Sequence, residues 1–155
     1  MTISSFRKDA ANKGNPILRA LAVRTMSSLR VPNLNEYIVE PLKTALRDDD
    51  PYVRKTAVLS IPKIFEIAPN DPETNNLVQM LEALIVKEPN GLVMANAIAS
   101  LEEISLLSGK KHIKMNEALL SRVLVATNEC MEWAQVFILD FLSKYNPKDE
   151  KEAEM

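Results

Sequence analysis

Histidine and cysteine each occur once in this chain, which removes most routes to metal and redox chemistry. His112 alone does not make the histidine clusters on which helical-repeat metalloenzymes depend, and Cys130 alone allows neither an internal disulfide nor a multi-cysteine zinc site. Serine or cysteine nucleophiles need a general base nearby, and no nucleophile motif accompanies His112. Glycine is almost as scarce. Gly14, Gly91 and Gly109 stand apart, so no phosphate-cradling loop is present, and three glycines with 5% aromatics argue against a β-sandwich or a nucleotide-binding α/β sheet. Neither sign of charge dominates: 19 Lys and Arg face 21 Asp and Glu, and a net charge of −2 gives no global attraction to nucleic acid or to an anionic membrane. No run of about 18 apolar residues is available to span a bilayer, so no transmembrane segment is expected. Met1 to Asp9 lacks the apolar stretch of a secretion signal, and a cytoplasmic location is the expectation.

What the chain does have is a recurring phrase. Asn15-Pro16 is followed by Leu18, Arg19, Ala22, Met26 and Leu29; Asp50-Pro51 is followed by Val53, Arg54, Ala57, Ile61 and Ile64, each 35 residues after its counterpart. A looser copy, starting at Glu88-Pro89, continues with Val93, Ala97, Leu101 and Ile104, each 40 residues beyond its partner in the second set. Recurrence near this period marks a helical-repeat solenoid, in which a single repeat cannot hide its apolar face and must stack on its neighbours. Asn15 and Asp50 are good N-cap residues, and a proline at the first helical position gives up only an N–H that has no partner there.

Between these starts the spacing predicts a second set of helices. Asn35 to Arg47 carries Ile38, Leu42, Ala45 and Leu46, with Pro41 bending it or delaying its regular part. Leu77, Met80, Leu81, Leu84 and Ile85 form another stripe, Glu117 to Thr127 a third, and Trp133, Phe137, Ile138, Phe141 and Leu142 mark a last helix stopped by Asn146-Pro147. Pro62 predicts a kink in the helix opened by Asp50. With a short helical piece before Asn15, the expectation is all-α: a right-handed α-α superhelix of armadillo or HEAT type, about four two-helix repeats in one segment over residues 1–147, and a charged, frayed tail over 148–155. Phe6, Ile17 and the last apolar stripe look suited to cover by something else, so the chain reads as a piece of a longer stack.

Candidate sites are sparse. Asp48-Asp49-Asp50 reads as capping and solvation, because no further carboxylates follow at calcium-loop spacing. His112, beside Lys110 and Lys111, reads as a solvated turn residue. Trp133 lies four residues before Phe137 and eight before Phe141, which places it on an apolar helix face. Glu102 with Glu103, and Glu129 with Glu132, read as exposed helix surface. Arg19, Arg24, Arg30, Arg54 and Lys55 could form part of a basic groove for nucleic acid. Arg19 and Arg54, however, sit at equivalent repeat positions near acidic turns, and the preferred reading is an arginine–carboxylate ladder between neighbouring repeats.

Four phrases carry a more specific resemblance: Asn15-Pro16-Ile17-Leu18-Arg19-Ala20-Leu21-Ala22-Val23-Arg24-Thr25-Met26, Asp50-Pro51-Tyr52-Val53-Arg54-Lys55-Thr56-Ala57, Asn128-Glu129-Cys130-Met131-Glu132-Trp133-Ala134-Gln135 and Tyr145-Asn146-Pro147-Lys148-Asp149. In this order they resemble the β-adaptins, the β-type large chains of clathrin adaptor complexes, along essentially the whole chain. The resemblance implies an interior slice of the N-terminal trunk, a non-catalytic scaffold without cofactors. Its implied partners are the medium, small and second large chains of an adaptor heterotetramer, and an ARF-family GTPase docking near the early repeats, with Ile3 in the contact stretch. Clathrin binding is implied only for parent regions outside this chain, and nucleic-acid binding is not implied. The implied location is cytoplasmic, peripheral on coated membranes. Arg19, Ala22, Arg54, Ala57, Ala97 and Trp133 serve as structural repeat markers. Glu66 to Asn76 and the turn around Gly109 depart from the family wording, as surface connections would. The competing readings are another helical-repeat scaffold, of nuclear-transport or coatomer type, and a helical-repeat enzyme or nucleic-acid module.

Overall fold

A computed structural model describes residues 3–29, 35–113, 116–130 and 132–144, without the side chains of Ile3, Asn35, Glu36, Glu129 and Trp133. The expected tail over 148–155, the Asn146-Pro147 stop, Arg30, and the side chains of Ile3 and Trp133 therefore lie outside the described residues. Among the described residues there are eight α-helices and no strand: α1 (Ile3–Ala10), α2 (Pro16–Ser28), α3 (Asn35–Ala45), α4 (Pro51–Ile67), α5 (Pro72–Lys87), α6 (Gly91–Ser108), α7 (Glu117–Glu129) and α8 (Glu132–Ser143). The fold is an armadillo- or HEAT-like helical solenoid.

Two layers run along it. Helices α2, α4, α6 and α8 pack in sequence to form one layer, and α1, α3 and α5 pack in sequence in the other, each against the helix that follows it in the chain. The three alanine repeat markers are buried in the layer of α2, α4 and α6. Ala22, Ala57 and Ala97 are buried at equivalent positions, as are Met26, Ile61 and Leu101 one turn on. Alanine at the first position lets successive helices approach closely, and the larger side chains then fill the space between them.

Helix starts follow the capping chemistry. Asn15 accepts a hydrogen bond from the Leu18 N–H, Asp50 from Tyr52, Asp71 from Glu73, Asn90 from Val93 and Asn116 from Leu119. Each satisfies one of the free N–H groups of a first turn. The third phrase therefore opens at Asn90, not at Glu88-Pro89: Asn90 lies 40 residues after Asp50, which makes Glu88 the counterpart of Asp48. Gly91 takes the first helical position that Pro16, Pro51 and Pro72 occupy elsewhere. A Cβ there would come within 3.2 Å of Cys130 Sγ and 3.3 Å of the Ala126 carbonyl oxygen, so the close approach of α7 leaves little room for a side chain. Gly109, at φ 68°, ends α6 in the left-handed conformation.

Pro62 lies inside α4 with its side chain buried, in the helix opened by Asp50 where the sequence places it. Two further expectations change. The segment Glu66 to Asn76 is largely helical, since α4 extends to Ile67 and α5 begins at Pro72; the connection is confined to 68–71. Helix α6 is 18 residues long and apolar enough to cross a membrane by length and composition, because Glu102 and Glu103 are its two charges. It packs against α4, α5, α7 and α8, and its apolar residues from Val93 to Ile104 are largely buried, which accounts for most of its apolar character, while Leu106 and Leu107 near its end are exposed.

Candidate functional site: the inter-repeat seam

Arg19 is in the first turn of α2 and Arg54 in the first turn of α4, four residues after their caps. Both point along the stack toward the next repeat's acidic turn. Arg19 grips Asp48 with two bonds, Nε to Oδ2 at 2.7 Å and Nη2 to Oδ1 at 2.8 Å. Arg54 grips Glu88 in the same way, Nε to Oε2 at 2.9 Å and Nη2 to Oε1 at 2.7 Å. Planar guanidinium and carboxylate groups match in this two-bond arrangement, which fixes their relative orientation as well as their distance.

Each rung has a third arm. Arg19 Nη1 donates to the Asn12 carbonyl at 2.8 Å, and Arg54 Nη1 to the Asp48 and Asp49 carbonyls at 2.8 and 2.9 Å. The carboxylates also organise the turn that presents them: Asp48 accepts from the Asp50 N–H at 2.9 Å, and Glu88 from the Asn90 N–H at 3.0 Å. Asp50 is a cap, as its place before Pro51 predicts, but Asp48 is a ladder residue rather than a solvated one. Met94 stands at the arginine position of the next repeat and is buried, so the two-rung ladder gives way there to apolar packing. Arg122 of α7 takes over in a different way, donating to the carbonyls of Val86 and Glu88 at the end of α5.

Burial raises the energetic stakes unevenly. The Glu88 side chain is 3% exposed, whereas Asp48 is 11% and both arginines are 14%. Burial opposes ionisation of Asp48, but the Arg19 bond, the Asp50 N–H and the charges of Arg19 and Arg54 overcome it and hold the carboxyl below its usual range. A depressed folded-state pKa stabilises the fold above the unfolded value of about 3.9, and that contribution disappears as pH falls through the folded value. Urea midpoints measured from pH 7 down to pH 3 should therefore fall, and Asp48→Asn should flatten the decline below pH 4. An unchanged slope in that variant would remove Asp48 from the acid response.

His112 is not the solvated turn residue its lysine-rich surroundings predict. Its ring Nδ1 lies 2.8 Å from Glu82 Oε1 on α5 and its Nε2 lies 3.1 Å from Ser108 Oγ, while its backbone N–H donates to Ser105 Oγ at 3.2 Å. A carboxylate only accepts, so Nδ1 carries the proton. The imidazole thus ties the loop after α6 back to α5, a long-range contact that local sequence does not reveal.

The other sequence candidates do not converge among the described residues, and the Glu129 side chain, with its pairing to Glu132, lies outside them. Glu102 meets Lys144 at 3.3 Å and Glu103 is exposed. Lys55 lies over the Tyr52 ring, 4.8 Å from its centre, and Arg24 is exposed, so a continuous basic groove through Arg19, Arg24 and Arg54 is absent among the described residues. No group of three or more His, Cys, Asp or Glu side chains suited to a metal occurs among them either.

Comparison with known proteins gives this geometry a setting. Residues 17–155 match the family profile Cnd1, described as non-SMC mitotic condensation complex subunit 1. The chain is 46% identical over 154 residues to the AP-1 complex subunit beta of Dictyostelium discoideum, 43% over 155 residues to AP-1 complex subunit beta-1 of Homo sapiens, and 39% over 157 residues to that of Saccharomyces cerevisiae. Each alignment takes in 99% of this chain but only 16%, 16% and 21% of the respective relative.

Proposed function

From a chain that belongs to the Cnd1 family and is similar to β-adaptins along nearly its whole length, we propose a non-catalytic scaffold segment of a clathrin adaptor large chain, acting in vesicle-mediated protein transport. The observation that carries this reading is the near-complete alignment with AP-1 β subunits from three distant organisms. The arginine–carboxylate rungs and the shared core support it physically, since they hold successive repeats at set angles and so hold anything bound to them in a set relative position. Recognition spread over long helix faces suits a multi-subunit assembly.

In this reading the partners are the medium, small and second large chains of the heterotetramer, the location is the cytoplasmic face of coated membranes, and the chain forms one solenoid segment over residues 1–147. An ARF-family GTPase docks on the early repeats, with Ile3 in its contact stretch. Clathrin is reached through other parts of the parent. Affinity purification of the full-length parent tests the assembly: medium, small and second large chains are expected together in comparable amounts. Recovery of nuclear-import cargo, coatomer chains or chromosome-condensation subunits in their place would overturn the proposal.

A further inference from the structure

Where the C-terminal end of α3 lies beside that of α5, the stack opens into a groove of about 430 Å³. That volume falls within the ~300–1,000 Å³ typical of small binding sites. Its apolar lining comes from Leu46, Met80, Ala83 and Leu84, and two exposed cations, Arg47 and Lys87, border it. Among the described residues neither cation forms an ion pair.

The negative groups that would ordinarily answer them are already engaged. Glu88, the one acid lining the groove, has both oxygens held by Arg54 and Oε1 shared with the Asn90 N–H. The carbonyls of Val86 and Glu88, where the negative end of the α5 dipole would lie, accept from Arg122. The ladder therefore leaves this groove with two free positive charges beside apolar surface. We propose that it docks an extended peptide segment bearing one or two carboxylates next to aliphatic side chains. A membrane surface fits less well, because only two cations border the groove. The proposal rests on this groove alone and is independent of the adaptor reading.

The test is fluorescence anisotropy with a fluorescein-labelled peptide in which two aspartates precede Leu-Val-Leu between glycine flanks, titrated with the full chain. Saturable binding below about 1 mM is expected. Replacing the peptide aspartates by asparagine, or its aliphatic residues by serine, should weaken it about tenfold or more. On the protein, R47Q/K87Q should do the same, and Ala83→Trp should block binding by filling the groove while leaving both charges in place. Circular dichroism melting establishes that each variant is folded. Absence of saturation, equal binding of the asparagine peptide, or unchanged affinity in both protein variants would overturn the proposal. So would binding of phosphatidylserine vesicles through Arg47 and Lys87 without binding of the peptide.

Discussion

Replacing Arg54 by alanine is expected to destabilise the chain by about 3–5 kcal/mol, the loss typical of a broken buried ion pair. The size follows from what remains behind. Glu88, with its side chain 3% exposed, would keep only the Asn90 N–H as a described donor, and the Asp48 and Asp49 carbonyls would lose theirs. Arg19→Ala should cost less, since its Asp48 partner is more open to water. The double variant R54M/E88M should recover most of the loss, because it removes the stranded charge together with its partner. Urea unfolding followed by circular dichroism provides the measurement. A loss below 1 kcal/mol for Arg54→Ala would show that the rung does little for the fold. Under the scaffold function proposed above, partner affinity in the folded fraction should stay nearly constant, and the opposite pattern would make Arg54 a contact residue instead of a ladder residue.

Leu101→Ala should cost about 2–5 kcal/mol, toward the upper end because the site has little means of collapsing. Leu101 is fully buried in α6, and α6 is hemmed in by α4, α5, α7 and α8. A second effect comes from the architecture. Stability in a solenoid is close to a sum of repeat and interface contributions, so weakening the central helix should also loosen the coupling between its two sides. The urea transition is expected to broaden as well as to shift. Leu106→Ala, five residues on in the same helix but 86% exposed, should change stability by no more than about 0.5 kcal/mol. Equal effects at the two positions would contradict the packing described for α6.

Several features were legible from residue order because they are local. A proline fixes its own backbone angle, a cap bonds its own first turn, and a 3.6-residue period reports its own apolar face; helix starts at Pro16 and Pro51 and the stripe through Leu77, Leu81 and Ile85 follow from these. The preference for an arginine–carboxylate ladder was also open to inference, since Arg19 and Arg54 occupy the same repeat position. Which acids complete it was less accessible: the 40-residue offset from Val53 to Val93 pairs Glu88 with Asp48, but Glu88-Pro89 imitates the Asp50-Pro51 helix start and hides that Asn90 is the cap. A Cβ at Gly91 would press on Ala126 and Cys130, a constraint imposed from more than 30 residues away.

By itself, then, the sequence determined an all-α repeat, its helix starts and most of its buried stripe, since each depends on bonds and periods spanning at most a few turns. Tertiary structure alone decided that His112 ties its loop to Glu82, that Arg122 covers the end of α5, and that Arg47 and Lys87 form no ion pair among the described residues beside a partly apolar groove. Those outcomes depend on which side chains from distant turns compete for the same carboxylates and carbonyls, and that competition exists only once the repeats are stacked.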